Sequence, residues 1–121
     1  MSCDFLIITA YDHVVLARIE KDRLLDAAAI GSLSDALMKL LERYPKISLV
    51  LDCEAVQALS SAMLGKLVAL QKQVKAYKGR MVLAGVSAKI LPLFQVTKLD
   101  KVIDFAPSAQ EAIMLYKRKP L

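Results

Sequence analysis

The chain is predicted to fold as an α/β domain, a mixed, mostly parallel sheet of five strands with about four helices. Three observations point there. Short β-rich runs alternate with helical periodicities along the chain, which implies parallel strands joined by helical crossovers. One run, Ile47-Ser48-Leu49-Val50-Leu51-Asp52-Cys53, is apolar on both faces, as a strand buried inside a parallel sheet must be. The first two runs are separated only by a turn, so they form a hairpin whose first strand is an antiparallel edge. The chain has 121 residues and neither internal repeat nor linker, so 1–121 reads as one domain.

Phe5-Leu6-Ile7-Ile8-Thr9 is the first strand, Tyr11-Asp12-His13 the turn, and Val14 to Ile19 the second strand. Ile30, Leu33, Leu37, Leu40, Leu41 and Tyr44 then recur at helical spacing, with Lys39, Glu42 and Arg43 opposite. Asp26 is an N-cap candidate for this helix; the alternative start is Ser32, with Asp35 three residues on. Pro45 ends it. After the Ile47–Cys53 strand and a loop to Leu59, Met63, Leu64, Leu67, Val68, Leu70 and Val74 form one broad helical face, stopped by Gly79.

Arg80 to Gly85 is the next strand, and Ser87 is positioned to cap a short helix containing Ile90, Leu91 and Phe94. Pro92 would lose a backbone hydrogen bond in a helix begun at Ala88, so the helix is expected to start late or to kink. Lys101 to Phe105 is the last strand. Ser108 with Glu111 is a capping box opening a final helix, and Lys117, Arg118 and Lys119 suit the negative end of its dipole.

Hydrophobic residues make up 56% of the chain and charged residues 24%, which excludes a disordered polypeptide. Mean hydropathy is +0.44. No apolar run approaches the roughly 18–20 residues of a membrane span, so the surplus implies a generous core or an apolar contact surface. The start of the chain has no basic segment followed by a long apolar one, so no signal peptide is read. Cys3 and Cys53 are fifty residues apart, without a CxxC pair. They read as reduced packing thiols in a cytoplasmic protein, and no metal site is expected. The net charge of +5 suits an acidic partner surface. Direct nucleic-acid binding is not expected, since aromatics are not interleaved with the basic residues.

In a parallel α/β sheet, functional groups gather beyond the carboxyl ends of the strands. That rim collects Asp22, Asp26, Glu54, Ser60, Ser61 and Ser87. Ser60-Ser61 opens the Met63–Val74 helix, where unpaired first-turn amides favour negative charge. A phosphate on a serine is stabilised in such a place, and helical projection puts Ser61 at the edge of the apolar face. The bland alternative is that one of the two serines is simply an N-cap. A serine hydrolase would need a histidine beside Ser61. The only one, His13, falls in a turn at the opposite edge of the sheet, and there is no GxSxG, Walker A, GxGxxG or HExxH. The chain therefore reads as a binding module and not an enzyme, and no cofactor is expected.

The stretch Leu49-Val50-Leu51-Asp52, Val56 and Leu59-Ser60-Ser61-Ala62-Met63-Leu64-Gly65-Lys66-Leu67 resembles the core of STAS domains, the family of bacterial anti-sigma factor antagonists. So does the later stretch Gly79-Arg80-Met81-Val82-Leu83, Phe94, Thr97 to Val102 and Glu111-Ala112. The resemblance runs from about Val14 to Ala112 and implies the STAS fold. The family pattern at the helix start is Asp-Ser-Ser/Thr-Gly-Leu-Gly, its first Ser being phosphorylated. Aligned on Leu64-Gly65, it makes Ser61 the implied phosphoacceptor, with Ser60 the alternative. Ser60 stands where the family has Asp, Ala62 where it has Ser or Thr, and Met63 where it has Gly. The implied partner is an anti-sigma factor with serine-kinase activity, docking on Asp26, Ser60, Met63, Lys66 and Ser87, with Met63 and Leu64 exposed. A homodimer is also considered. A STAS scaffold that has lost the switch is the second reading, and a small hydrolase or nucleotide-binding protein the third.

Overall fold

The computed structural model describes residues 3–11 and 14–118. The expected turn residues Asp12 and His13, and the tail from Lys119, lie outside them. The strands are β1 (Leu6–Tyr11), β2 (Val14–Ile19), β3 (Arg23–Leu24), β4 (Ser48–Asp52), β5 (Ala58–Leu59), β6 (Arg80–Ala84) and β7 (Asp104–Ala106). The helices are α1 (Ala27–Arg43), α2 (Ser61–Ala76), α3 (Leu91–Val96) and α4 (Ala109–Arg118). The five-stranded sheet has the order β1-β2-β4-β6-β7; β1 is antiparallel to β2 and every other pairing is parallel.

Strand alternation divides the core between the two faces of the sheet. Val15, Ala17, Leu49, Leu51, Met81 and Leu83 pack with the buried residues of α1 and α2. Val14, Val50, Val82 and Ala84 point the other way, onto Ala112 and Tyr116 of α4. All five residues of β4 are buried, as its two-sided apolar pattern requires.

Asp26 caps α1, its Oδ2 accepting from the Ala29 N–H at 3.0 Å, so the Ser32 start is overturned. Ser108 and Glu111 pair at the start of α4 as expected: the Glu111 N–H donates to Ser108 Oγ at 3.2 Å, and the Ser108 hydroxyl donates to Glu111 Oε2 at 3.5 Å. The end of α2 differs in detail from the expectation. The left-handed residue there is Lys78 (φ 61°), while the N–H of Gly79 reaches back to the Val74 carbonyl at 2.8 Å. Gly79 is required for a different reason. A Cβ on it would lie 2.6 Å from the Ile47 carbonyl oxygen.

Two expectations fail in the second half. Ser87 does not cap α3 with its side chain; α3 starts at Leu91 with no side-chain cap. Pro92 therefore sits in the first turn, where a missing N–H breaks no helical bond. The run placed at Lys101–Phe105 is not one strand. Lys98 is left-handed (φ 62°), Leu99–Lys101 form a 3₁₀ turn, and β7 begins only at Asp104. Gln71 of α2 holds this turn through Nε2, which donates to the Val102 carbonyl at 3.1 Å.

Candidate helix-start site at the carboxyl rim

The two-residue strands β3 and β5, which sequence periodicity did not reveal, build the site. Each is followed closely by a helix cap: Leu24 by Asp26, and Leu59 by Ser60. The strands pair in parallel, Leu24 opposite Leu59. The Ser60 N–H donates to the Leu24 carbonyl at 3.1 Å, and the Asp22 carbonyl accepts from Gln57 and Ala58 at 2.7 and 3.1 Å. The starts of α1 and α2 are thereby fastened side by side. No period of two is visible in two residues, and the pairing is non-local, so neither strand has a local signal.

At the start of α2 the two serines have separate tasks. Ser60 is the N-cap: its Oγ accepts from the Met63 N–H at 3.2 Å and its carbonyl from the Leu64 N–H at 3.2 Å. Ser61 is the first helical residue and is exposed. The first turn of α2 carries no acidic residue, so the positive end of this 16-residue helix has no anion of its own. Gly65, one turn after Ser61, is exposed, and a Cβ built there meets nothing within 4 Å.

The loop after β4 is fixed by Asp52, whose Oδ1 accepts from the Glu54 N–H at 3.0 Å. It is pressed against the loop after β6 at Gly85 (φ 68°), where a Cβ would come within 3.3 Å of Glu54 Cβ. Ser87 follows on the same rim, half-buried, with its Oγ buried and unpartnered. Asp26, Ser61 and Lys66 are exposed and Ser60 is half-buried.

Met63 and Leu64 are not surface residues. They are 2% and 6% exposed and belong to the core beneath α2. Their exposure at a contact patch is overturned because the third and fourth residues of α2 fall on the stripe continued by Leu67, Leu70 and Val74. Met63 thus fills space inside the domain.

Both thiols are free and buried. Cys53, beside the rim, is pushed up from 9.0 to about 12 by burial and, secondarily, by the charge of Asp52, so it is not a nucleophile at neutral pH. Among the described residues no three His, Cys, Asp or Glu side chains are grouped to hold a metal ion, and no helix is long and apolar enough to cross a membrane.

Sheet order and the paired helix starts define a small α/β domain with four parallel strands, an antiparallel edge hairpin and a serine-capped second helix at the carboxyl rim. The chain belongs to the STAS domain family, whose model matches residues 6–112. Similar solved structures include anti-sigma factor antagonists. One from Mycobacterium paratuberculosis superposes with a TM-score of 0.79 at 20% identity, over 97% of this chain and 99% of that one. A STAS domain protein from Planctomyces limnophilus does so with 0.76 at 20% identity, over 91% and 95%. The Bacillus cell fate determinant SpoIIAA in its phosphorylated form gives 0.68 at 18% identity, over 89% and 96%. At these identities the likeness is one of fold.

Proposed function

We propose that this protein is an anti-sigma factor antagonist, a cytoplasmic regulator of transcription that sequesters an anti-sigma factor with serine-kinase activity and is switched by phosphorylation of Ser61. The observation that carries this reading is the division of labour at the start of α2. Ser60 is committed to the cap, while Ser61 is exposed in the first turn. In the transfer, Ser61 Oγ attacks the γ-phosphorus of ATP, loses its proton and releases ADP. The product carries about −1.5 to −2 charges and three acceptor oxygens, and the first-turn amides favour it. The docking surface comprises Asp26, Ser60, Ser61, Lys66 and Ser87, without Met63. Free antagonist holds the anti-sigma factor; a phosphate at the contact must be desolvated, which costs several kcal/mol unless a cation waits for it.

The second reading is a STAS scaffold without the switch. It is favoured by Ser60 and Ala62, which stand where the family pattern has Asp and Ser or Thr. Mass spectrometry after incubation with ATP and the cognate kinase separates the two. Phosphate on Ser61 supports the switch. Phosphate on Ser60 alone would move the acceptor to the capping residue, and phosphate on neither serine leaves the scaffold reading.

A further inference from the structure

Strand β1 is open along its outer edge. It is the outer strand of the sheet, and five of its six residues are exposed, including Ile7 (46%), Ile8 (38%) and Tyr11 (39%). Soluble proteins blunt such edges with charge, proline or bulges. Leu-Ile-Ile-Thr-Ala-Tyr has neither charge nor proline, and its pairing with β2 runs without a bulge from Leu6 to Tyr11.

The hydrogen-bond phase of the open edge follows from one bond. The Glu20 N–H donates to the Phe5 carbonyl at 2.7 Å, so the odd-numbered residues of the strand direct their polar groups at β2. The even-numbered ones, Leu6, Ile8 and Ala10, direct theirs outward. The Leu6 N–H is already used by the Cys3 carbonyl at 3.2 Å. The outward N–H groups of Ile8 and Ala10 are left.

We infer that β1 pairs antiparallel with β1 of a second copy of this chain, about a two-fold axis at Ile8, to give one continuous sheet. In that register Ile8 faces Ile8 of the other copy and Ala10 faces Leu6. The Ile8 N–H groups donate to each other's carbonyls and the Ala10 N–H groups to the Leu6 carbonyls, four bonds using every outward N–H left. An axis perpendicular to the sheet keeps α1 of both copies on one face. It sets Phe5 opposite Tyr11, an aromatic cross-strand pair. Lys117 lies 5.6 Å from the centre of the Tyr11 ring and Lys21 5.4 Å from that of Phe5, so at each end of the ladder two lysines meet around one Asp4. These lysines, with Lys39 and Arg43 beside Ile8 on the α1 face, act against pairing and are screened by salt. A six-residue strand is about 20 Å long. The pair falls below about 1,200 Å² of total buried surface, the range of weak, reversible interfaces. The dimer therefore forms at high concentration.

Sedimentation equilibrium of the full chain, from low micromolar to several hundred micromolar, is the test. The mass should rise from 13.3 kDa towards twice that value, more readily in high salt. Ile8→Lys and Ala10→Pro should remain monomers at every concentration; each changes an exposed outer residue, and either one folding is enough. In the wild type, amide exchange at Ile8 and Ala10 should slow with concentration, while exchange at Ile7 and Thr9, bonded to β2, stays constant. A wild type that remains at 13.3 kDa throughout, or a dimer whose Ile8 and Ala10 amides gain no protection, overturns the proposal.

Discussion

The Ser60 N–H donates to the Leu24 carbonyl at 3.1 Å, and through this bond the caps of α1 and α2 are held on one edge of the domain. Asp26 lies two residues beyond Leu24, and Ser60 is itself the cap of α2. A contact that spans 36 positions of sequence thus decides which side chains share the rim.

The two serines should separate energetically. Ser60→Ala removes the acceptor for the Met63 N–H and should cost about 1 kcal/mol in urea denaturation, as should Asp26→Ala at α1. Ser61→Ala, on an exposed first-turn residue, should stay within about 0.5 kcal/mol of wild type. Equal losses at Ser60 and Ser61 would contradict the assignment of the cap.

Ser61→Asp should melt within a few degrees of wild type, since the helix dipole favours the added charge by roughly 0.3–1 kcal/mol. Its affinity for the anti-sigma factor should fall by at least about tenfold, or 1.4 kcal/mol, read by calorimetry. Ser61→Ala should bind normally and resist the kinase. A Ser61→Asp variant that binds as wild type would count against a switch at this residue.

Met63→Asp should unfold the domain and not merely weaken a contact. The side chain is 2% exposed within the core, and a buried unpaired charge costs about 3–5 kcal/mol. The far-ultraviolet circular dichroism melt should move to much lower temperature or disappear.

Gly79→Ala should destabilise by about 1–3 kcal/mol, because its Cβ would sit 2.6 Å from backbone oxygen at Ile47, which cannot turn away as a side chain can. Gly31→Ala has nothing within 4 Å of its Cβ and should stabilise α1 by up to about 1 kcal/mol. Chemical denaturation of the pair reads the two opposite signs.

Cys53 should be inert to thiol reagents in the folded protein near neutral pH and react only on unfolding, a difference read by timed labelling with and without urea. Its pKa is raised in the fold, from 9.0 to about 12, so its contribution to stability is complete below pH 9 and is lost as pH rises towards 12. Across that window the wild type should lose stability more steeply than Cys53→Ala.

Much of the fold was legible in the chain. The two-sided apolar run of β4, the hairpin before it and the periodicity of α1 and α2 are local signals, and each reports burial directly. The Asp26 cap and the Ser108–Glu111 pair were readable for the same reason, since a cap is a contact between residues three apart. Tertiary structure alone decided the rest. The β3–β5 ladder joins segments that carry no pattern of their own, yet it assembles the rim. Burial of Met63 and exposure of Ser61 differ by a rotation of 200° around α2, which only its packing on the sheet and α1 orients. Gly79 reads as a helix stop, but its need for a bare Cα comes from the Ile47 carbonyl, 32 positions earlier. Local residue choice sets helix, strand and cap because those interactions close within a few residues; the rim is set by chain segments that meet only after the sheet has formed.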